Sequence, residues 1–135
     1  MKKKALYFII PLIVIVVGFN LFKSGKPSQN ASSCLLTAKE FVDADKSDVI
    51  IVDVRTPGEY NSGHIQNALA IDINSRNFKD EMNKLDKTKT YYVYCKTGIR
   101  SRSAVGYMTQ SGFKNVCDVE GGLNNLARAG AKLVK

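Results

Sequence analysis

Hydrophobic and polar positions divide the chain into three regimes. Ala5 to Phe22 is a single apolar run of 18 residues without a charge, with Asn20 its one strongly polar member. Residues 23–33, Lys-Ser-Gly-Lys-Pro-Ser-Gln-Asn-Ala-Ser-Ser, are polar and small, the composition of a flexible tether. From Cys34 onward, short β-prone runs alternate with helix-like stretches. Cys34-Leu35-Leu36 predicts a strand, and Thr37 caps a helix to about Ala44, with Glu40 at the capping-box position. Val49 to Val54 is the clearest strand, and its continuous β-branched content predicts burial on both faces, as in a parallel sheet. Pro57-Gly58 opens a turn, and Glu59 to Ser62 makes at most one helical turn. A strand over Ala68–Ile73 and a helix over about Asn77–Leu85 follow. Then come a strand over Tyr91–Tyr94 and a helix over Ser101–Gln110, stopped by Gly112. Val116–Val119 is the last strand, Gly121-Gly122 a turn and Leu123–Ala129 the closing helix. This alternation predicts a three-layer α/β domain with a mostly parallel sheet, whose site lies beyond the carboxyl ends of the strands.

The apolar run changes the picture of the N-terminus. As a helix it would span about 27 Å, close to the hydrocarbon thickness of a bilayer. Lys2-Lys3-Lys4 before it favour a cytoplasmic N-terminus and an extracytoplasmic domain, a bias that Lys23 and Lys26 weaken without reversing. The alternative is a cleaved signal peptide that leaves a secreted or periplasmic domain, but the run is longer than a usual signal core and Lys23-Ser24-Gly25-Lys26-Pro27 is a poor cleavage site. The expected organisation is therefore a membrane anchor over residues 1–22, in contact with the membrane through residues 5–22, a linker over 23–33 and a domain over 34–135. The net charge of +8 belongs largely to this N-terminus: residues 1–33 carry five lysines and no acid, against 15 basic and 12 acidic residues in the rest. With no basic stripe interleaved with aromatics in the domain, nucleic acid is not an expected partner.

The chemistry gathers at Tyr94-Cys95-Lys96-Thr97-Gly98-Ile99-Arg100-Ser101. Here a strand delivers a cysteine, a short loop turns the chain, and a helix begins. That order aims backbone N–H groups and the positive end of a helix at one sulfur, which favours the thiolate, the nucleophilic form. The bland alternative is that Cys95 is a small buried hydrophobe, but the glycine, arginine and helix start that follow it argue for a reactive thiol.

Three spaced groups of residues, in order, resemble the rhodanese family. Asp53-Val54-Arg55, Glu59-Tyr60, Gly63-His64-Ile65 and Ala68 resemble its first signature, and Tyr94-Cys95 with Gly98 and Arg100-Ser101 its active-site loop. Gly112-Phe113, Asn115-Val116 and Glu120-Gly121-Gly122 resemble its closing signature. The resemblance covers roughly residues 34–130. It implies a rhodanese-like domain with a five-stranded parallel sheet and sulfur transfer through a persulfide on Cys95. The N-terminal apolar run lies outside the family pattern.

Under that resemblance, Cys95 thiolate attacks a small anionic sulfane-sulfur donor, such as thiosulfate or a persulfide. A thiol, protein cysteine or cyanide then accepts the sulfur, in two-step covalent catalysis. The backbone N–H groups of Lys96, Thr97, Gly98, Ile99, Arg100 and Ser101 would cradle the sulfur anion, with Lys96 and Arg100 as cationic partners for the donor. Asp53, Arg55 and Glu59 are read as a charge cluster that braces the loops, and His64 as a loop organiser. No cofactor is required, and one histidine with scattered cysteines is a poor metal set. Related phosphatases use a loop one residue longer between cysteine and arginine, so the smaller cradle here suits a single sulfur. A second function class stays open: a module that senses persulfide or binds protein without turnover. The resemblance also places the first strand beside the fifth, which makes Cys34 and Cys117 neighbours. A disulfide between them is possible outside the cytoplasm, but parallel neighbours seldom have the geometry, so separate thiols are the expectation.

Overall fold

The computed structural model describes residues 31–135. The predicted membrane anchor and residues 23–30 of the predicted linker lie outside the described residues; among the described residues no helix is long and apolar enough to cross a membrane. The elements, in order, are β1 (Ser32–Leu36), α1 (Ala38–Asp43), β2 (Val49–Asp53), α2 (Pro57–Asn61), β3 (His64–Ile65), β4 (Leu69–Ala70), α3 (Phe78–Asn83), β5 (Thr90–Tyr94), α4 (Ile99–Gln110), β6 (Asn115–Val119), α5 (Gly122–Arg128) and β7 (Leu133–Val134). A five-stranded sheet runs in the order β1-β6-β5-β2-β4, and every pair in it is parallel. All five carboxyl ends therefore share one edge.

The sheet's two faces have separate cores, because successive side chains along a strand point to opposite sides. Val52, Val54, Tyr91, Val93, Cys95 and Val116 pack under α3 and α4 through Phe78, Met82, Ala104, Val105 and Met108. Ile51, Tyr94 and Val119 pack against α1 and α5 through Phe41 and Leu126. The continuous hydrophobicity of β2 and β5 is thus explained: both strands are covered on both sides. Each fully buried valine, leucine or phenylalanine there contributes roughly 1.5–3 kcal/mol of transfer free energy.

Local capping sets the helix starts. Thr37 and Glu40 exchange hydrogen bonds in the predicted capping box at the head of α1. Thr56 and Glu59 form a second one at the head of α2, whose first residue is Pro57. The predicted strand over Ala68–Ile73 is shorter, reduced to Leu69–Ala70. Asp72 accepts from the Asn74 N–H at 2.8 Å and bends the chain away, while Ile71 and Ile73 still donate to Asp53 and Val54. The antiparallel pairing of β3 with β7 is additional to the expected elements.

Cys34 and Cys117 are joined in a disulfide, which corrects the expectation of separate thiols. The two residues are direct register partners in β1 and β6. Their Cα atoms are 4.4 Å apart, at the short end of the distance a disulfide can span. Direct opposition puts both side chains on the same face, so the exposed edge strand is tied covalently to its neighbour. With the bonded positions 83 apart in sequence, loop-closure entropy alone would contribute about 4–5 kcal/mol at most.

Candidate active site

Cys95 leaves the end of β5 and is 1% exposed, the free cysteine among the described residues. The chain then turns through Lys96 and Thr97, both exposed, to a buried Gly98. Gly98 has φ 99°, a left-handed conformation suited to glycine, and precedes the first residue of α4. Its N–H lies 3.0 Å from the Cys95 sulfur. Burial pushes the Cys95 thiol up, but hydrogen bonding from the loop residues Ser101, Gly98 and Thr97 outweighs it and holds the thiol below its ordinary range. The helix begins at Ile99 rather than at the predicted Ser101, so Ser101 sits on its first turn. Its N–H is one of those that an α-helix cannot satisfy internally.

The glycine pair after β6 braces the loop from the other side. Leu123 N–H donates to the Cys95 carbonyl at 2.8 Å and Asn124 N–H to the Lys96 carbonyl at 3.2 Å. A Cβ at Gly122, which has φ +58°, would stand 2.5 Å from that Cys95 carbonyl oxygen. Only glycine lets α5 approach this closely. The sequence shows this pair as a turn signal; its contact with the cysteine loop is visible only in three dimensions.

Arg100, read from the sequence as a cationic partner for the donor, is engaged with Glu59. Its two terminal nitrogens each donate to one oxygen of Glu59, both at 2.8 Å. Glu59 also closes the capping box of α2, so one carboxylate ties α2 to the head of α4. The Arg100 guanidinium holds that carboxyl far below its ordinary range, at about 2, with further help from Thr56. Lys96 is the exposed cation of the loop, and Ile99, 76% exposed, forms an apolar point on its rim.

Asp53 and Arg55 form a second, fully buried pair. Arg55 Nη2 lies 2.7 Å from Asp53 Oδ2 and also donates to the Gly63 carbonyl at 2.7 Å. The Tyr94 hydroxyl donates to Asp53 at 2.6 Å and accepts from the Ile65 N–H at 3.0 Å. This network fixes the segment 63–65 to the ends of β2 and β5. Tyr94, read from the sequence as a strand residue, is a member of it. Burial and the Asp53 bond push its phenol well above the ordinary range. His64 stacks on Tyr60 with ring centroids 3.7 Å apart, and its Nδ1 is 3.0 Å from the Tyr60 carbonyl.

Asp118 was missing from the expected site residues. It is 6% exposed and accepts from the Ser101 hydroxyl at 2.6 Å. A lone acid within Val116-Cys117-Asp118-Val119, a strand otherwise free of charge, was the signal that could have marked it. Among the described residues, no cluster of three or more His, Cys, Asp or Glu side chains is placed to hold a metal ion.

Comparison with known proteins agrees with this architecture. The family model described as "Rhodanese-like domain" matches residues 37–129. A rhodanese-related protein from Thermoplasma volcanium superposes with a TM-score of 0.68 at 30% identity, covering 75% of this chain and 97% of that one. A rhodanese-like domain protein from Staphylococcus aureus gives 0.65 at 31% identity, covering 76% and 99%. The tRNA uridine(34) hydroxylase of Yersinia enterocolitica is 41% identical over 90 residues, 62% of this chain. The chain spans only a quarter of the length of such curated relatives.

Proposed function

The chain belongs to the rhodanese-like domain family, and from that premise we propose that it is a sulfurtransferase carrying sulfane sulfur on Cys95. The observation that carries this reading is a free thiol at the end of β5 with the Gly98 N–H, at the head of α4, 3.0 Å from its sulfur. In this mechanism the Cys95 thiolate attacks the outer sulfur of thiosulfate or a persulfide. A new S–S bond forms, the donor's bond breaks, and sulfite or a thiolate leaves with the electron pair. The terminal sulfur of Cys95-S-S⁻ inherits the cradle of N–H groups, and an acceptor thiol or cyanide then attacks it. Lys96 is the exposed cation placed to receive an anionic donor. Arg100 acts through Glu59, holding the head of α4 in place. The thiolate-favouring loop supports turnover over a passive sensing role.

The relatives named tRNA uridine(34) hydroxylase are about four times the length of the matched segment, so their whole activity is not carried over to this chain. The proposed location is the extracytoplasmic side of a membrane, with residues 1–22 as anchor, 23–33 as tether and 34–135 as the catalytic domain. An uncharged apolar run behind a lysine triplet supports the anchor, and the Cys34–Cys117 disulfide supports an oxidising compartment.

A thiosulfate-to-cyanide assay tests the chemistry. Cys95→Ser abolishes turnover on this account, because a serine hydroxyl lacks an adjacent base to activate it. Turnover at the wild-type rate in that variant would remove Cys95 from the mechanism.

A further inference from the structure

One edge of β2 is only partly covered. β5 pairs with Val49 through Asp53, whereas β4 pairs with Val52 and Asp53 alone. The Asp53 carbonyl accepts from the Ile71 N–H on the β4 side. Backbone groups alternate sides along a strand, so those of Ile51 and Val49 face the same way. The Val49 N–H is taken by the Lys46 carbonyl at 3.2 Å. The Ile51 N–H and the Val49 carbonyl have no ladder partner in β4. The segment leading into β4 is turned aside from them. A turn from Ile65 to Ala68, closed by a 3.0 Å hydrogen bond, holds Asn67 at φ 65°, the one non-glycine residue with positive φ among the described residues.

A groove of about 730 Å³ opens along this bare edge, within the size range of ligand sites. Phe41 and Val42 of α1, with Ile65, Leu69 and Ala131, make its wall largely apolar. Lys46 and Lys132 also stand in the wall, and no acid does among the described residues. Lys132 is exposed. Lys46 Nζ uses two of its three donors on the Val42 and Ala44 carbonyls, at 3.3 and 2.7 Å. Of the acids near Lys46 in sequence, Asp43 pairs with Lys39 and Asp45 accepts from the Ser47 N–H, while Asp48 lies outside the wall. We propose that this groove binds an extended, acidic peptide segment of a partner protein, which adds to the bare edge of β2 as a short strand.

Three features define the occupant. An N–H and a carbonyl facing an apolar wall call for a partner that alternates acceptors and donors at strand spacing, which a peptide backbone does and a fatty acid does not. The apolar wall accepts alternate side chains of such a strand, and the open stretch Val49–Ile51 is about 10 Å long. The two lysines, with no lining acid, select carboxylates over ammonium groups. A second copy of this chain is a poor occupant through the same edge. Ile51 is 7% exposed, so the edge lies at the groove floor, out of reach of its own duplicate. The groove is also remote from the thiol. Val49 is the register partner of Thr90, at the start of the strand whose far end leads into Cys95, about 16 Å away along β5. A segment bound there leaves the cysteine loop free, and the inference does not depend on sulfur chemistry.

Full-length protein in lipid nanodiscs is panned against a random heptapeptide library, and the selected peptides are synthesised and titrated by fluorescence anisotropy. Enriched sequences should alternate apolar residues and carry Asp or Glu. N-methylation of the backbone nitrogens in one alternating register should weaken binding about tenfold, the effect of a lost hydrogen bond, and in the other register far less. Lys132→Glu should weaken the same peptides about tenfold through like-charge repulsion. Leu69→Asp, on the opposite wall, should do likewise and decides the matter if Lys132→Glu does not fold. Hydrogen exchange over residues 49–52 should slow on binding, while exchange over the loop 96–101 stays unchanged. A library that yields no binder, or binding of laurate with no peptide selected, would overturn the proposal. So would enrichment of basic sequences, equal tolerance of N-methylation in both registers, or protection that spares residues 49–52.

Discussion

Arg100 and Glu59 meet in a two-pronged ion pair, each terminal guanidinium nitrogen 2.8 Å from its own carboxylate oxygen. The arginine of the cysteine loop is thereby a tie between α2 and α4. Its planar fork matches a carboxylate in a way lysine cannot. Arg100→Lys should therefore behave almost like Arg100→Ala. Both should lose about 1 kcal/mol of stability, a modest figure because the pair is 29% exposed and screened by water. Denaturant melts of the two variants check this. A fully wild-type midpoint in Arg100→Lys would show that the fork geometry contributes nothing.

The same pair sets an acid dependence. Glu59 is held at about 2 in the folded chain, against an ordinary 4.5. A depressed carboxylate contributes its stability fully above its unfolded value and loses it as pH falls. The window is therefore from about 4.5 down to about 2. Thermal melts across that window should fall more steeply in the wild type than in Glu59→Gln. Parallel curves would mean that the ion pair does not form in solution.

Gly122 carries a sharper expectation. A methyl group there would meet the Cys95 carbonyl oxygen at 2.5 Å and sit at a φ of +58°. Gly122→Ala should displace the loop that holds the sulfur. Sulfur transfer should fall on the order of 10- to 100-fold, with a left-handed strain of about 1–2 kcal/mol in stability. Steady-state kinetics alongside a denaturant melt separate the two effects. Retained activity with only a stability loss would show that the loop tolerates the shift.

The disulfide makes its own prediction. Cys34→Ser/Cys117→Ser, or full reduction, should lower stability by about 2–4 kcal/mol and loosen the edge strand β1, while Cys95 chemistry persists. Free-thiol labelling of denatured, non-reduced protein should mark Cys95 alone. Labelling of all three cysteines would remove the bridge and weaken the extracytoplasmic assignment.

Legibility in the sequence followed the length scale of each interaction. Runs of β-branched residues such as Val49–Val54 announce a doubly covered strand, and Thr37 with Glu40 announces a helix start. These are signals local in sequence, and all five sheet strands were readable from them. The pairing of His64–Ile65 with Leu133–Val134 was not, because two residues cannot display a period. Within the site, the cysteine and its loop were visible as a contiguous motif. The partner of Arg100 lies 41 residues away and that of Ser101 17 residues away, so neither the ion pair nor the Ser101–Asp118 hydrogen bond follows from spacing. Cys34 and Cys117 show the same limit: the family resemblance puts them on neighbouring strands, but only the register opposes them directly.

The account stands most directly on a covalent adduct. Full-length protein, purified and exposed to thiosulfate, is digested without reductant, and the Cys95 peptide is weighed. Sulfur transfer through a cysteine persulfide predicts a gain of about 32 Da, one sulfur atom, on Cys95. It also predicts loss of that gain on addition of cyanide, and no gain in Cys95→Ser. A Cys95 peptide that stays unmodified with thiosulfate and with a persulfide donor alike would contradict the account.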